Sequence, residues 1–455
     1  MEKFTNRRNP VLPPHWHIPD SEAHVMPDGK LYIYGSYDDG KHVYCSNRYY
    51  VVSTPDMEHW TIHDSSFDSS RISWAEDPDS PHYPGIDWEH PSPFIQKMIR
   101  EKPDAHPDLV KEEEKENGGN AMEHGDEGHL LYAPDCIEKD GKYYLYFCMD
   151  DDREGVAVSD RPEGPFDNAV QFPCGGIDPA VFVDDDGQAY YYWGQIYSHG
   201  VKLNEDMMSF RQEEVVDHLV TEEKHYFHEG SSMRKIGDTY YYVFADVERG
   251  KPTSLGYATG KSPLGPFEYR GIIIDNADCD PDSWNNHGSI ECVNGQWYIF
   301  YHRSSRGTER FRRLCIEPIT INPDGSIDEV KMTSQGAGDP FGAGEEIMGY
   351  QACGLKGTVF SAPDENGTEY LTEISDGDEA VFRYVESENG FSEIRMEAEG
   401  SGTVEILMNG KSAGKVRIEG GKQMETQISA EPGLSEVVLK FSGTERLKIR
   451  KFVFL

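Results

Sequence analysis

A chain of 455 residues exceeds what one ordinary core organises, so two domains are expected, one of them large. Its formal net charge of −39 argues against nucleic acid and anionic membrane surfaces as partners, because both would be repelled. An aromatic content of 12%, with many Gly and Pro, suits β-structure with frequent tight turns.

The first residues, MEKFTNRRNPVLPP, lack the apolar centre of a signal peptide, and no apolar run approaches the roughly 18 residues of a membrane span. A cytoplasmic protein is expected, or a secreted one where an export signal has been removed. The eight cysteines, at 45, 136, 148, 174, 279, 292, 315 and 353, have no C-x-x-C and no zinc spacing. They are expected to be reduced and mostly buried.

Along the chain, a turn followed by an aromatic-rich strand recurs five times: DGKLYIYGSYD from Asp28, DGKYYLYFCMD from Asp140, DGQAYYYWGQ from Asp186, GDTYYYVFAD from Gly237 and NGQWYIFYHR from Asn294. Asp-Gly and Asn-Gly supply the positive φ angles of two-residue hairpin turns, and the alternating Tyr, Trp, Ile and Val suit buried strands. The last four copies are about 46, 50 and 58 residues apart, the length of a four-stranded propeller blade. A second echo, VVSTPDMEHWTI from Val51, VAVSDRPEGPFD from Val156 and GYATGKSPLGPFE from Gly256, reads as the third strand of a blade and the turn after it. The expected fold is therefore all-β, a five-bladed β-propeller over residues 1–330. The longer first interval holds an insertion whose polar run, residues 101–128, is expected to be a solvated loop or short helix. Residues 331–346 are Gly-rich without periodicity, as a linker should be. Short alternating strands in 347–455 suggest a C-terminal β-sandwich. It contains no tryptophan, which argues against a broad sugar-binding platform there.

Propellers place functional residues at one mouth of the central channel, on the innermost strands. Just upstream of each repeated turn stands one polar residue: Asp20 in HIPDSEAHVMPDG, Asp135 in LYAPDCIEKDG, Asp178 in GGIDPAVFVDDDG, Glu229 in FHEGSSMRKIGD and His287 in NNHGSIECVNG. A single Asp before a strand usually caps it. Four acids and a histidine at nearly one phase are harder to explain structurally, because like charges converging on an axis cost stability unless function keeps them there.

With these motifs the chain resembles glycoside hydrolase family 43, five-bladed propellers that release arabinofuranose and xylose from plant cell-wall polysaccharides. The likeness covers roughly residues 8–330. It implies Asp20 as general base, with Ser21 where the family usually has Pro. It also implies Asp178 as the residue that orients the acid and tunes its pKa, and Glu229 as general acid. Tyr132 and Asp135 of YAPD, His287 and Arg312 are implied to contact substrate, with Tyr132 replacing a usual Trp. His287 matches an axial histidine that can adjoin a structural Ca2+, and no cofactor is implied for the chemistry. The expected reaction is inverting exo-hydrolysis of terminal arabinofuranosyl residues, and of xylosyl residues too, in plant cell-wall oligosaccharides. Ionised Asp20 would activate water and protonated Glu229 would serve the leaving oxygen, the two standing roughly 6.5–9.5 Å apart. A β-xylosidase or arabinanase is the alternative within enzymes, and a non-catalytic glycan-binding propeller the alternative outside them. The C-terminal unit weakly resembles family 6 carbohydrate-binding modules.

Overall fold

Each of the five aromatic-rich repeats forms the second strand of a separate antiparallel sheet in the computed structural model, which describes residues 1–83, 85–88, 90–106, 128–420 and 423–455. The innermost strands are Glu22–Val25, Asp135–Lys139, Ala180–Val183, Phe227–Ile236 and Ser289–Val293, one per blade. The turns behave as their residues require: Asp140 and Gly141 have φ of 52° and 78°, and Asn294 and Gly295 of 53° and 86°. The second echo also falls as read, since Val52–Thr54, Arg153–Ser159 and Ser254–Gly260 are third strands.

The blades are less uniform than a four-strand repeat suggests. Blades 3 and 5 have three strands each, while blade 1 has five, because Glu2–Thr5 adds itself outside His59–Ile62. The same N-terminal segment then crosses to blade 5, where the Val11 N–H donates to the Leu314 carbonyl. Deeper in, Ser21 and Gly288 form a parallel bridge between the innermost strands of blades 1 and 5. Backbone from the start of the chain thus closes the ring at both radii.

Apolar clusters fill each gap between blades. Ile33, Val52 and Trp60 of blade 1, for example, pack with Phe300, Leu314 and Ile316 of blade 5. Burying a side chain such as Phe300 stabilises the fold by about 1.5–3 kcal/mol. Seven of the eight cysteines are buried and all are unpaired, as expected of small apolar groups.

After the propeller, nine strands form one network with its own core, including Ile347, Leu371, Phe382, Ile406, Leu439 and Phe452. The Gly-rich segment before it is tightly held. The Ser334 N–H donates to the Arg383 carbonyl at 2.6 Å, and Phe341 is buried. Arg313, on the last propeller strand, reaches Glu369 at 2.8 Å with both side chains buried. Of the 101–128 run, residues 107–127 lie outside those described. Upstream, Pro93–Glu101 is an α-helix capped by Ser92, with Ile95 and Met98 packed on Ile196. Among the described residues no helix is long and apolar enough to cross a membrane.

Candidate active site

Asp20 and Asp178 each stand two residues before the innermost strands of blades 1 and 3, and both have φ of 56°. That left-handed conformation costs a non-glycine residue about 1–3 kcal/mol and recurs at functional sites. Here it turns the two carboxylates into the channel mouth, where His287 of blade 5 lies between them. His287 Nδ1 is 4.0 Å from Asp20 Oδ1 and 3.6 Å from Asp178 Oδ2.

Glu229 comes from blade 4. The register slips on both sides of it, between Phe227 and Glu229 and between Glu229 and Ser232. Such irregularities re-aim a side chain that a regular strand would direct elsewhere. The next residue, Gly230, has φ of +75°, and a Cβ there would lie 3.1 Å from His287 Cδ2. Glycine is needed on both counts. The freed Gly230 N–H donates to the Asp178 carboxylate, joining the acid's backbone to the neighbouring blade. Glu229 Oε2 accepts from Gln195 Nε2 at 2.8 Å.

The charges are unequally supported. Arg312 Nη1 donates to Asp20 Oδ1 at 2.8 Å. Burial pushes Asp20 up, yet the Arg312 cation outweighs it and holds Asp20 below the usual carboxylate range. Asp178 has no such cation in contact. Burial first, then the Glu229 and Asp20 carboxylates, push it well above that range. Burial lowers His287, and it lowers His302 to about 3, so both imidazoles are neutral at ordinary pH. His302 Nε2 faces the Asn285 carbonyl at 3.0 Å, a pairing that assigns its proton there and leaves Nδ1 to accept from the Asp20 N–H.

Asp20, Asp178, Glu229, His287 and Arg312 therefore converge. Arg312 is buried against carboxylates: Nε and Nη2 bind the two oxygens of Asp38 at 3.0 and 2.8 Å. It is positioned to orient Asp20, which differs from the sugar contact implied by resemblance. Tyr132 is half-buried in the adjoining wall, beside Cys45 and Cys148. Asp135 lies outside the cluster. It bonds His24 Nε2 at 2.7 Å and the N–H groups of Cys136 and Val181 at 2.6 and 2.8 Å. Its oxygens are thus used inside the channel, one level below the mouth. There Arg234 joins Glu22 and Glu291, each at 3.2 Å.

Sequence reasoning missed Asp38 and Gln195, which follow the second strands of their blades, and His302, which lies near the end of its own. A cleft beside Gln195 is lined also by Trp88, Asp152, Ile177, Tyr197 and His199. Trp88, from the insertion, is 37% exposed and was also missed. Three groups of His and carboxylate donors among the described residues have metal-ligand spacing: His106–Glu222–His228, Glu22–His24–Asp135 and His129–Asp150–Asp151. His287 belongs to none of them.

Comparison with known proteins supports the family seen in the motifs. The family model described as Glycosyl hydrolases family 43 matches residues 106–327. A xylosidase/arabinosidase of Thermoclostridium stercorarium is 28% identical over 98% of this chain and 98% of that protein. The xylosidase/arabinosidase 43A of Humicola insolens is 35% identical over 43% of this chain and 74% of that protein. Among solved structures, a family 43 β-xylosidase/α-arabinofuranosidase from a compost microbial metagenome, in complex with xylotriose, superposes with a TM-score of 0.53. It is 28% identical and covers 72% of this chain and 98% of its own. A five-bladed ring with a carboxylate cluster at its mouth, and these relatives, lead to one conclusion: the chain is a glycoside hydrolase and belongs to family 43.

Proposed function

We propose that the enzyme removes terminal arabinofuranosyl or xylosyl residues from arabinoxylan-type oligosaccharides, with inversion, using Asp20 as base and Glu229 as acid. The observation that carries this reading is the opposite treatment of two neighbouring carboxylates. Arg312 keeps Asp20 ionised, ready to take a proton from an attacking water. Asp178, driven up by burial and by Glu229, keeps a proton in the site beside Glu229. We infer that the two share that proton and that Glu229 delivers it to the glycosidic oxygen. Its side chain is the more accessible, at 14% exposed against 9% for Asp178. Loss of the C–O bond, proton arrival at the leaving oxygen and addition of water from the Asp20 side then complete an inverting displacement.

Substrate preference follows the relatives, named for both xylosidase and arabinosidase activity. The strong negative charge favours a neutral glycan over a polyanion. A structural Ca2+ at His287 would draw its remaining ligands from water, since the described residues offer no three-donor group there. No step is routed through it. The C-terminal unit is proposed as a support that holds none of the catalytic groups.

The deciding experiment is proton NMR of the first-formed sugar from 4-nitrophenyl α-L-arabinofuranoside and β-D-xyloside. Inverted configuration at the anomeric carbon is expected. Retention would make Asp20 a nucleophile and overturn its role as base; turnover of neither glycoside would remove the substrate assignment.

A further inference from the structure

Beside Glu229, three donor side chains from separate parts of the chain meet. His106 follows the short 3-10 turn Pro103–Ala105 at the end of the described insertion. Glu222 opens the helical turn Glu222–His225, and His228 is the second residue of the blade 4 inner strand. All three are buried, Glu222 completely.

We propose that His106, Glu222 and His228 bind one Zn2+ ion. His106 Nε2 lies 3.1 Å and His228 Nδ1 3.5 Å from Glu222 Oε2. Zinc bonds of about 2.0–2.2 Å in a tetrahedral shell set adjacent ligand atoms about 3.2–3.6 Å apart. The spacing therefore fits a shared ion.

A simple hydrogen-bond network explains the cluster less well. It accounts for His106 and Glu222, but among the described residues His228 Nδ1 makes no well-formed hydrogen bond and stands 3.5 Å from Glu222 Oε2. A buried donor that poorly satisfied costs up to about 1–3 kcal/mol. Lys102, the nearby cation, does not satisfy Glu222 either. Among the described residues its ammonium makes no hydrogen bond, and it lies 4.5 Å over the Tyr226 ring.

Donor chemistry selects the ion. Two imidazoles and one carboxylate suit zinc, whereas calcium and magnesium take oxygen donors. With His228 bound through Nδ1, its Nε2 carries the proton and faces Glu229 Oε2, 3.8 Å away. The ion would pin the insertion to the strand that carries the acid.

The test uses the full-length enzyme, stripped with a chelator and desalted, then titrated with ZnCl2 by calorimetry and with CoCl2 by visible absorption. Expected are one tight site per chain and intense tetrahedral cobalt bands. Glu222→Gln and the conservative His106→Gln should each weaken zinc binding at least about tenfold, with folding checked by circular dichroism. Asp150→Asn, at the separate His129 cluster, should leave it unchanged. Absence of zinc binding or of tetrahedral cobalt bands in the wild-type protein would overturn the proposal, whatever the variants do. Unaltered binding in folded Glu222→Gln would overturn it equally, as would loss of binding in Asp150→Asn.

Discussion

Arg312 and Asp20 meet at 2.8 Å across the seam where blade 5 closes against blade 1, and the same guanidinium grips both oxygens of Asp38. One buried cation thus serves two carboxylates, and its removal should be felt twice. Arg312→Met is expected to lose about 3–5 kcal/mol of stability, because it leaves buried charges uncompensated. It should also lose most activity even at temperatures where it stays folded. Urea melts beside kcat on an aryl arabinofuranoside check both. A stable, fully active variant would show that Asp20 needs no such partner.

Substitution of the acids themselves separates their roles. Asp20→Asn, Asp178→Asn and Glu229→Gln should each keep the fold and lose at least about 10²-fold in kcat. Glu229→Gln should suffer least on substrates with good leaving groups, such as 2,4-dinitrophenyl glycosides, which need little protonation. Equal losses on good and poor leaving groups would remove Glu229 from the acid's role.

Stability should depend on pH through Glu154, which is completely buried and bonded to the Tyr191 hydroxyl. Burial pushes its carboxyl up from the usual 4.5 to about 8. Between those values the folded chain keeps a proton that the unfolded chain has released. The group's contribution is therefore full below about pH 4.5 and lost as pH rises through about 8. Glu154→Gln cannot ionise, so it should gain on the wild type by about 1.4 kcal/mol per pH unit within that window. Urea midpoints at about pH 5 and pH 8 provide the check; parallel profiles would refute it.

Trp88 offers an aromatic face at the cleft beside Gln195. A sugar ring lying on that face would bury apolar surface worth about 25 cal/mol per Å². Trp88→Ala should accordingly raise KM several-fold for xylo- or arabino-oligosaccharides while sparing small aryl glycosides. A uniform change across both substrate types would place Trp88 outside the substrate path.

The Arg313–Glu369 pair links the propeller to the C-terminal strands from inside. Glu369→Ala should destabilise the protein by about 3–5 kcal/mol with kcat on aryl glycosides nearly unchanged in the folded enzyme. Cutting the chain near residue 340 should cost more stability and leave some activity. A truncated protein that is folded but inactive would mean that the module lends residues to the site.

Blade number, hairpin turns and the convergence of Asp20, Asp178 and Glu229 were legible because each rests on a local rule: turn residues, alternation, or a short motif at fixed distance from a turn. Asp135 misled for the same reason. It stands five residues before its turn at Asp140, whereas Asp20 and Asp178 stand eight before theirs. The shorter distance leaves it within the strand, below the mouth. Asp38, Gln195 and His302 were readable in principle. An antiparallel hairpin sets the end of its second strand beside the start of its first, so the last residues of DGKLYIYGSYD, DGQAYYYWGQ and NGQWYIFYHR face the same mouth. Trp88 and His106 had no such signal, since an irregular insertion carries them and only tertiary packing decides where it lies. The three-stranded blades and the held linker likewise depend on contacts with distant segments.

The seam between blades 5 and 1 bears on how this enzyme gains activity as it folds. Asp20 lies on one side of it and Arg312 and His287 on the other, while Asp178 and Glu229 come from the blades between. No contiguous stretch of the chain holds a working subset. A refolding molecule can acquire β-structure blade by blade, but turnover must wait until residues 9–11 and Ser21 have docked on blade 5. Regain of hydrolysis should therefore trail regain of circular dichroism, making activity a report on the last event of assembly.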